Sequence, residues 1–466
     1  MELFKFYILN FNGIIRCFFM KYGELFSGFL SNFNKYVDRK YVLDKNAYTR
    51  KGNWDLETAI KYPICSNKKT KFRDVNKFLR IQKGDFKINI TGSGVCDRMQ
   101  YINPQAYIDM MDDSVYHLYN GSMNVPKFKG FIVTAVDSSI IDIPNRPETR
   151  KEMEIPEDTE FETYTATARL SCMADALSDF IISANLTNTF TDEITHALWH
   201  LEDAKNKIDL THTISTYDRF YNSQELMLKT MQLNSYFVIR GKTSTFRKQQ
   251  KIMDRHQQKD AEFEINLTDK LINTFRDEDL RKYAKEMGRM KIRIVKVKLK
   301  TNEEEILFTN VPKEMASLKE LKELYGDRWT VEKDFDRLKN KLYIEKFTGR
   351  RKVIIEQDCY SHLFLFNLLI GLKHDAEAEI TRKPLETAKY KYEYHSNMNV
   401  LIGEIKDYLP YLLTDDQEQI NYIINEIIKI ASKELVATKI PTPTNEERDN
   451  KEFKETNCPS NSSQGF

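Results

Sequence analysis

The sequence predicts an α/β fold: a mixed sheet with helices on its faces, preceded by a small helical region and carrying a basic, strand-rich insertion. Three observations predict it. From Phe128 the texture turns β-branched as far as Pro144, and runs with strand and helix periodicity then alternate up to residue 241. Residues 281–300 hold nine Lys or Arg against one Glu, and their second half alternates basic with apolar residues as a strand does. The stretch YGDRWTVEKDFDRLKN, beginning at residue 325, has the apolar spacing of a helix packed on a core through Val331, Phe335, Leu338 and Leu342.

Composition bounds the rest. A chain of 466 residues, 30% charged and 41% hydrophobic, is a normal soluble globular protein with room for two or three domains. Its net charge is only +2, so a polyanion partner must be met by local patches. Six cysteines without a CxxC pair argue for a reducing compartment and against structural zinc or a disulfide framework. The apolar N-terminus is interrupted by Lys5, Arg16, Lys21 and Glu24, leaving at most ten uncharged residues in a row. That is too few to span a bilayer, so it is expected to form an amphipathic helix on protein, with a membrane-surface role as the minor alternative, and no membrane partner is expected.

Taken in order, residues 45–120 read as short helices, with Arg98 following the Gly-rich turn TGSG in a pattern that suits helix-turn-helix DNA binding and that helical packing alone explains about as well. Residues 168–175 and 179–187 form a strand hairpin after the first strand. A helix over 191–206, a strand over 211–218, a helix over 222–233 and a strand over 235–241 complete an order of three strands, helix, strand, helix, strand. Asp137 then ends the first strand and Asp218 the fourth. In the basic segment, Lys291 and Arg293 change parity to Lys296, Lys298 and Lys300 across Ile294-Val295, which predicts a bulge and a basic face for a phosphate backbone, with an edge strand protected by lysines as the alternative. Residues 304–311 pair beside it, and Ser317 with Glu320 forms a capping box. Apolar helices follow over 360–371 and 397–436.

The divisions are residues 1–127, helical and expected to bind DNA; 128–234, the first part of a catalytic domain; 235–316, the basic insertion; 317–375, the last part of that domain; 376–440, C-terminal helices; and 441–466, a tail expected to be disordered.

Tyr325, Arg328, Glu332 and Lys339 fall within a stripe about 60° wide on one helix. Arg328 and Glu332 also fit an ordinary solvated pair at i, i+4. Asp137, Asp218 and Glu332, three carboxylates without clustered His or Cys, are hard oxygen ligands suited to two Mg²⁺ or Mn²⁺ ions at a phosphodiester. Arg328 and Lys339 would then hold phosphates beside them. His196 and His200 have zincin spacing, but Ala197 stands where the general base belongs, so a metalloprotease is not expected.

The four-residue stripe matches the Y-x2-R-x3-E-x6-K signature, and with VDSSIIDIPN, STYDRFYNSQEL, LFTNV and FTGR it resembles the fourth family of insertion-sequence DDE transposases. Ser138 and Phe220 stand where that family has Gly. The resemblance implies a ribonuclease H-like domain with a β-rich insertion, with Asp137, Asp218 and Glu332 as catalytic metal ligands. It implies double-stranded DNA as partner, both terminal inverted repeats and target, and a homodimer in the DNA complex. Tyr325, Arg328, Lys339, Lys296, Lys298 and Lys300 are the expected DNA contacts, in the cytoplasm of a bacterium at the nucleoid. A DNA-binding derivative that does not cut, or a nuclease of the same fold, are the alternatives.

Overall fold

Five helices precede the first strand in the computed structural model, which describes residues 21–439 apart from 51, 69, 122, 156–164, 299–303, 383–391 and 415. They are α1 (Tyr22–Ser31), α2 (Leu56–Cys65), α3 (Lys71–Lys83), α4 (Gly92–Met99) and α5 (Gln105–Asn120). Most of the expected N-terminal amphipathic helix, residues 1–20, and the expected tail, 441–466, lie outside the described residues. Local chemistry sets the starts. The Asp55 carboxylate accepts from the Thr58 amide at 2.9 Å and the Thr91 hydroxyl from the Gly94 amide at 3.3 Å, each satisfying a donor that a helix end leaves orphaned. TGSG is thus the opening of α4, not a turn ahead of it. Arg98 packs its guanidinium 4.8 Å from the Tyr48 ring.

Next come β1 (Ile132–Ile143), a short α6 (Pro147–Glu152), β2 (Ala166–Asp175), β3 (Ile181–Asn188), α7 (Glu193–Ala204), β4 (Thr213–Tyr217), α8 (Gln224–Gln232) and β5 (Tyr236–Arg240). Apart from α6 this is the order that periodicity predicts. The chain continues through α9 (Arg247–Arg255), β6 (Asp260–Asn266), α10 (Asp269–Ile272), α11 (Glu278–Met287), β7 (Arg289–Lys298) and β8 (Glu304–Thr309). All eight strands form one sheet in the order β3-β2-β1-β4-β5-β8-β7-β6. Neighbours β1, β4 and β5 run parallel, and the other pairs are antiparallel. The strands of the basic segment therefore extend the main sheet.

The bulge expected at Ile294-Val295 is absent: Ile294 faces Ala261 on one side and Phe308 on the other in unbroken register. The parity shift has another cause. β7 lies inside the sheet and is covered on both faces, Ile292 and Ile294 joining one core cluster and Val295 and Val297 the other.

The last part holds α12 (Leu318–Asp327), opened by the predicted Ser317–Glu320 capping box, then α13 (Trp329–Asp336) and a π-helical turn over Arg337–Lys341. The single helix expected from residue 325 is therefore interrupted at Arg328 and widened after Asp336. Helix α14 (Lys352–Arg382) is longer than its predicted 360–371. The segment 397–436 divides into α15 (Met398–Leu412) and α16 (Gln417–Ala431), and the flanking β9 (Tyr392–Ser396) and β10 (Leu435–Lys439) pair as a second, two-stranded sheet. Among the described residues α14 is the one helix long and apolar enough to cross a membrane, yet 83% of its most apolar window is buried inside the protein. It is the axis of the larger core.

Successive side chains of a strand point to opposite faces. On β1, Ile132 and Val136 belong to the cluster that takes in α7 and α8, whereas Val133 and Ala135 join the cluster around α14. Asp137 shares the parity of Val133 and Ala135. It therefore emerges on the face where α13 packs against β1.

Candidate active site

Register brings the first two acids together. Val136 of β1 pairs with Tyr217 of β4 in the parallel ladder, so Asp137 and Asp218 are the next residues on adjacent strands. There β4 stops, while β1 runs on to Ile143, which places Asp137 in the middle of its strand and not at its end. Asp218 caps a 3₁₀ turn over Arg219–Tyr221, its carboxylate accepting from the Phe220 amide at 2.6 Å. The third acid, Glu332, lies on α13.

Arg328 links the acids. It is 5% exposed, and its guanidinium reaches Glu332 at 2.9 Å and Asp137 at 3.6 Å. A solvated surface pair is excluded by that burial. Burial, above all, pushes the Asp137 carboxyl up to about 6; its bond from the Ser138 amide and the Arg328 charge oppose the rise, and Glu332 and Asp218 add to it. The acids thus repel one another across a partly dry space, with Arg328 supplying the compensating charge. Among the described residues no three His, Cys, Asp or Glu side chains draw close enough to enclose an ion. The donors nevertheless suit a hard divalent cation: all are carboxylates, and their mutual repulsion is what such a cation relieves.

Tyr325 is 5% exposed, and its hydroxyl has no well-formed hydrogen bond among the described residues. Its ring lies 5.7 Å from the Arg328 guanidinium, and Trp329, 57% exposed, lies 5.4 Å away. Lys339, in the π turn, donates to the Ile140 carbonyl at 2.5 Å and pairs with Glu345 at 3.4 Å. It is therefore tied to β1 just beyond Asp137. An open cleft of about 440 Å³ lies alongside, lined by Trp329, Glu332, Lys333, Asp336, Arg337 and Lys341.

The basic strand corrects its prediction. Lys296 is 6% exposed and paired with Asp254 and with Glu304, the latter at 3.6 Å. Arg293 is buried against Asp260 at 2.7 Å. Cations on a strand covered on both faces require such partners, so Arg293 and Lys296 are not part of an open basic face. The Lys298 side chain and all of Lys300 lie outside the described residues. His196 and His200 are fully buried, His200 bonded to Ser171 and Ser183 at 2.9 Å and His196 to Thr187 at 3.0 Å. They are packing residues of α7.

Sequence reasoning missed a neighbouring group. The Ser138 hydroxyl donates to Glu193 at 3.2 Å and accepts from Arg169 at 2.8 Å, and Arg169 pairs with Glu193 at 3.1 Å. Glu193 opens α7 and Arg169 lies on β2, so no spacing within one element could signal the group.

Against known protein families, residues 129–368, just over half of the 466, match the model described as a transposase DDE domain. The chain belongs to the DDE transposase family. The matched span runs from the residues ahead of β1 into α14 and contains Asp137, Asp218 and Glu332. This protein is accordingly a DNA transposase, an enzyme of the divalent-metal-dependent class. No curated protein matches it. Among solved structures it is similar to a piggyBac transposase, seen by cryo-EM in a synaptic complex with hairpin DNA. That likeness has 9% identity and a TM-score of 0.40, covering 91% of this chain and 86% of the other.

Proposed function

We propose that this DDE transposase excises and inserts an insertion sequence of the fourth-family type, with Asp137, Asp218 and Glu332 as its catalytic carboxylates. The observation that carries the reading is the meeting of β1, the end of β4 and α13, which sets an electrostatically coupled Asp137 beside Asp218 and, through Arg328, beside Glu332. Two Mg²⁺ or Mn²⁺ ions bound by these three acids would activate a water or 3′-hydroxyl and stabilise the departing oxygen of a phosphodiester. The chain's own residues do the rest. Asp218 is oriented by the turn it caps, Arg328 holds Asp137 and Glu332 in one place, and Lys339 fixes the π turn against β1.

The four signature residues are all present, and β3-β2-β1-β4-β5 with parallel β1, β4 and β5 supports a ribonuclease H-like core. The partners proposed are double-stranded terminal inverted repeats and target DNA, bound by a homodimer in the bacterial cytoplasm at the nucleoid. The helices ahead of β1 are proposed to contact DNA as well.

Labelled transposon-end duplexes with and without Mg²⁺, followed by a target-joining reaction, test the reading. Metal-dependent nicking at the end followed by joining is the expected result. Nicking without joining marks a nuclease of the same fold. Binding without nicking marks a derivative that has lost the chemistry.

A further inference from the structure

A group of cations without acid partners lies on α9, a helix that nothing in the sequence pattern singles out. From Lys242 to Lys259 the chain carries six Lys or Arg against the single Asp254, in a protein whose net charge is only +2. At about 100° per residue, Arg247, Lys248, Lys251 and Arg255 fall within an arc of about 100°. All four are exposed. Among the described residues none of them has an acidic side chain within ion-pair distance, whereas nearby cations do: Arg289 has Glu264 at 3.1 Å and Lys291 has Glu262 at 2.7 Å.

The helix is fixed elsewhere on its surface. Met253, on the side away from the cations, is fully buried, Gln250 on the flank donates to the Lys242 and Thr245 carbonyls at 3.2 and 2.5 Å, and Asp254, at the edge of the cation arc, is paired with Lys296. Phe246, just before the helix, holds a left-handed φ of 51°, which a bulky side chain keeps only where packing enforces it. Its ring packs edge-on to Phe308 at 5.0 Å. The helix is thus set rigidly on the sheet with four unmatched positive charges facing outward. The segment leading into it passes close to the second acid: β5 is the parallel neighbour of β4, and Lys242 lies 5.9 Å from the ring of Phe220, two residues past Asp218.

We propose that this face of α9 is a binding site for the phosphate backbone of duplex DNA, the role that the residue pattern assigned to β7. Cations with no internal partner release counterions when they meet phosphates, and each such contact adds about 0.9 to the log–log salt slope. A rigid row of them holds the duplex without reading its sequence. The inference rests on DNA being the substrate and not on the assignment of the three carboxylates.

The test is equilibrium binding in EDTA, so that no cleavage intervenes, of a transposon-end duplex and a random duplex to a variant with Arg247, Lys248, Lys251 and Arg255 all replaced by Gln. The expected result is at least a tenfold weaker Kd for both duplexes and a salt slope smaller by about three to four. A thermal melt like that of the unaltered protein confirms that the fold is kept. Lys291→Gln, on β7 with its own acid partner, should leave Kd and slope as they were. An unchanged Kd and slope in the four-residue variant would overturn the proposal, and so would a loss confined to the transposon end. Glu332→Gln, measured for binding in EDTA and separately for cleavage in Mg²⁺, keeps the two readings apart: if it binds and still cuts while the α9 variant fails to bind, the acid assignment falls and the α9 site stands.

Discussion

Arg328 reaches two of the three acids from a position that is 5% exposed, and that burial changes what its removal does. Without the guanidinium, Asp137 and Glu332 face each other uncompensated, so Arg328→Gln should lower the stability of the metal-free protein by on the order of 2 kcal/mol. Mg²⁺ supplies the missing charge, so melting curves with and without Mg²⁺ should show a larger metal-induced rise for the variant than for the unaltered protein. Asp137 gives the complementary case. Its folded pKa of about 6 lies above the ordinary 3.8, so between about pH 4 and 6 the folded state holds more proton and stability falls as pH rises. Above pH 6 the penalty is complete. Asp137→Asn should therefore raise the melting temperature by a few degrees at pH 7.5 and by progressively less down to pH 4, and an equal shift at both ends would contradict the burial account. The signature residues were legible in the sequence because spacing alone marks them. Their burial was not, since a partner such as Asp137 lies far away in the chain and i, i+4 spacing describes a solvated pair equally well.

Within the elements, the strands and helices from β1 to β5 were legible because β-branched alternation and helical spacing are local signals. The role of β7 was not. An internal strand whose cations are matched by Asp254, Asp260 and Glu304 has the same residue pattern as an exposed basic strand, and those acids come from other elements. Helix α9 escaped notice for the reverse reason: it buries only Gln250 and Met253, so it has almost no apolar stripe. Close packing of α1 on α14 was equally invisible. A Cβ added at Gly371 would meet Phe26 Cε2 at 2.6 Å and Tyr22 Cβ at 3.1 Å, and the ring cannot withdraw because Phe26 is fully buried. Gly371→Ala should cost about 1–3 kcal/mol despite the better helix propensity of Ala, as read by thermal melting. A stabilised variant would show that α1 is loosely seated.

At the scale of the whole molecule, one sheet of eight strands carries the acids near its middle, the α14 core on one face, and α9 toward the β6 edge. Binding and chemistry thereby fall to different parts of the fold and should fail separately. On addition of transposon-end duplexes, sedimentation should show two protein chains per complex, and a complex with a single chain that still joins ends to target would remove the proposed homodimer. The central claim, that Asp137, Asp218 and Glu332 form one catalytic centre, is tested most directly by measuring end binding and single-turnover cleavage in Mg²⁺ for Asp137→Asn, Asp218→Asn and Glu332→Gln in parallel. The account predicts that all three bind the end within a few-fold of the unaltered protein and that each cuts slower by at least a thousandfold, about 4 kcal/mol of barrier or more. Cleavage by any one of them at the unaltered rate would contradict it.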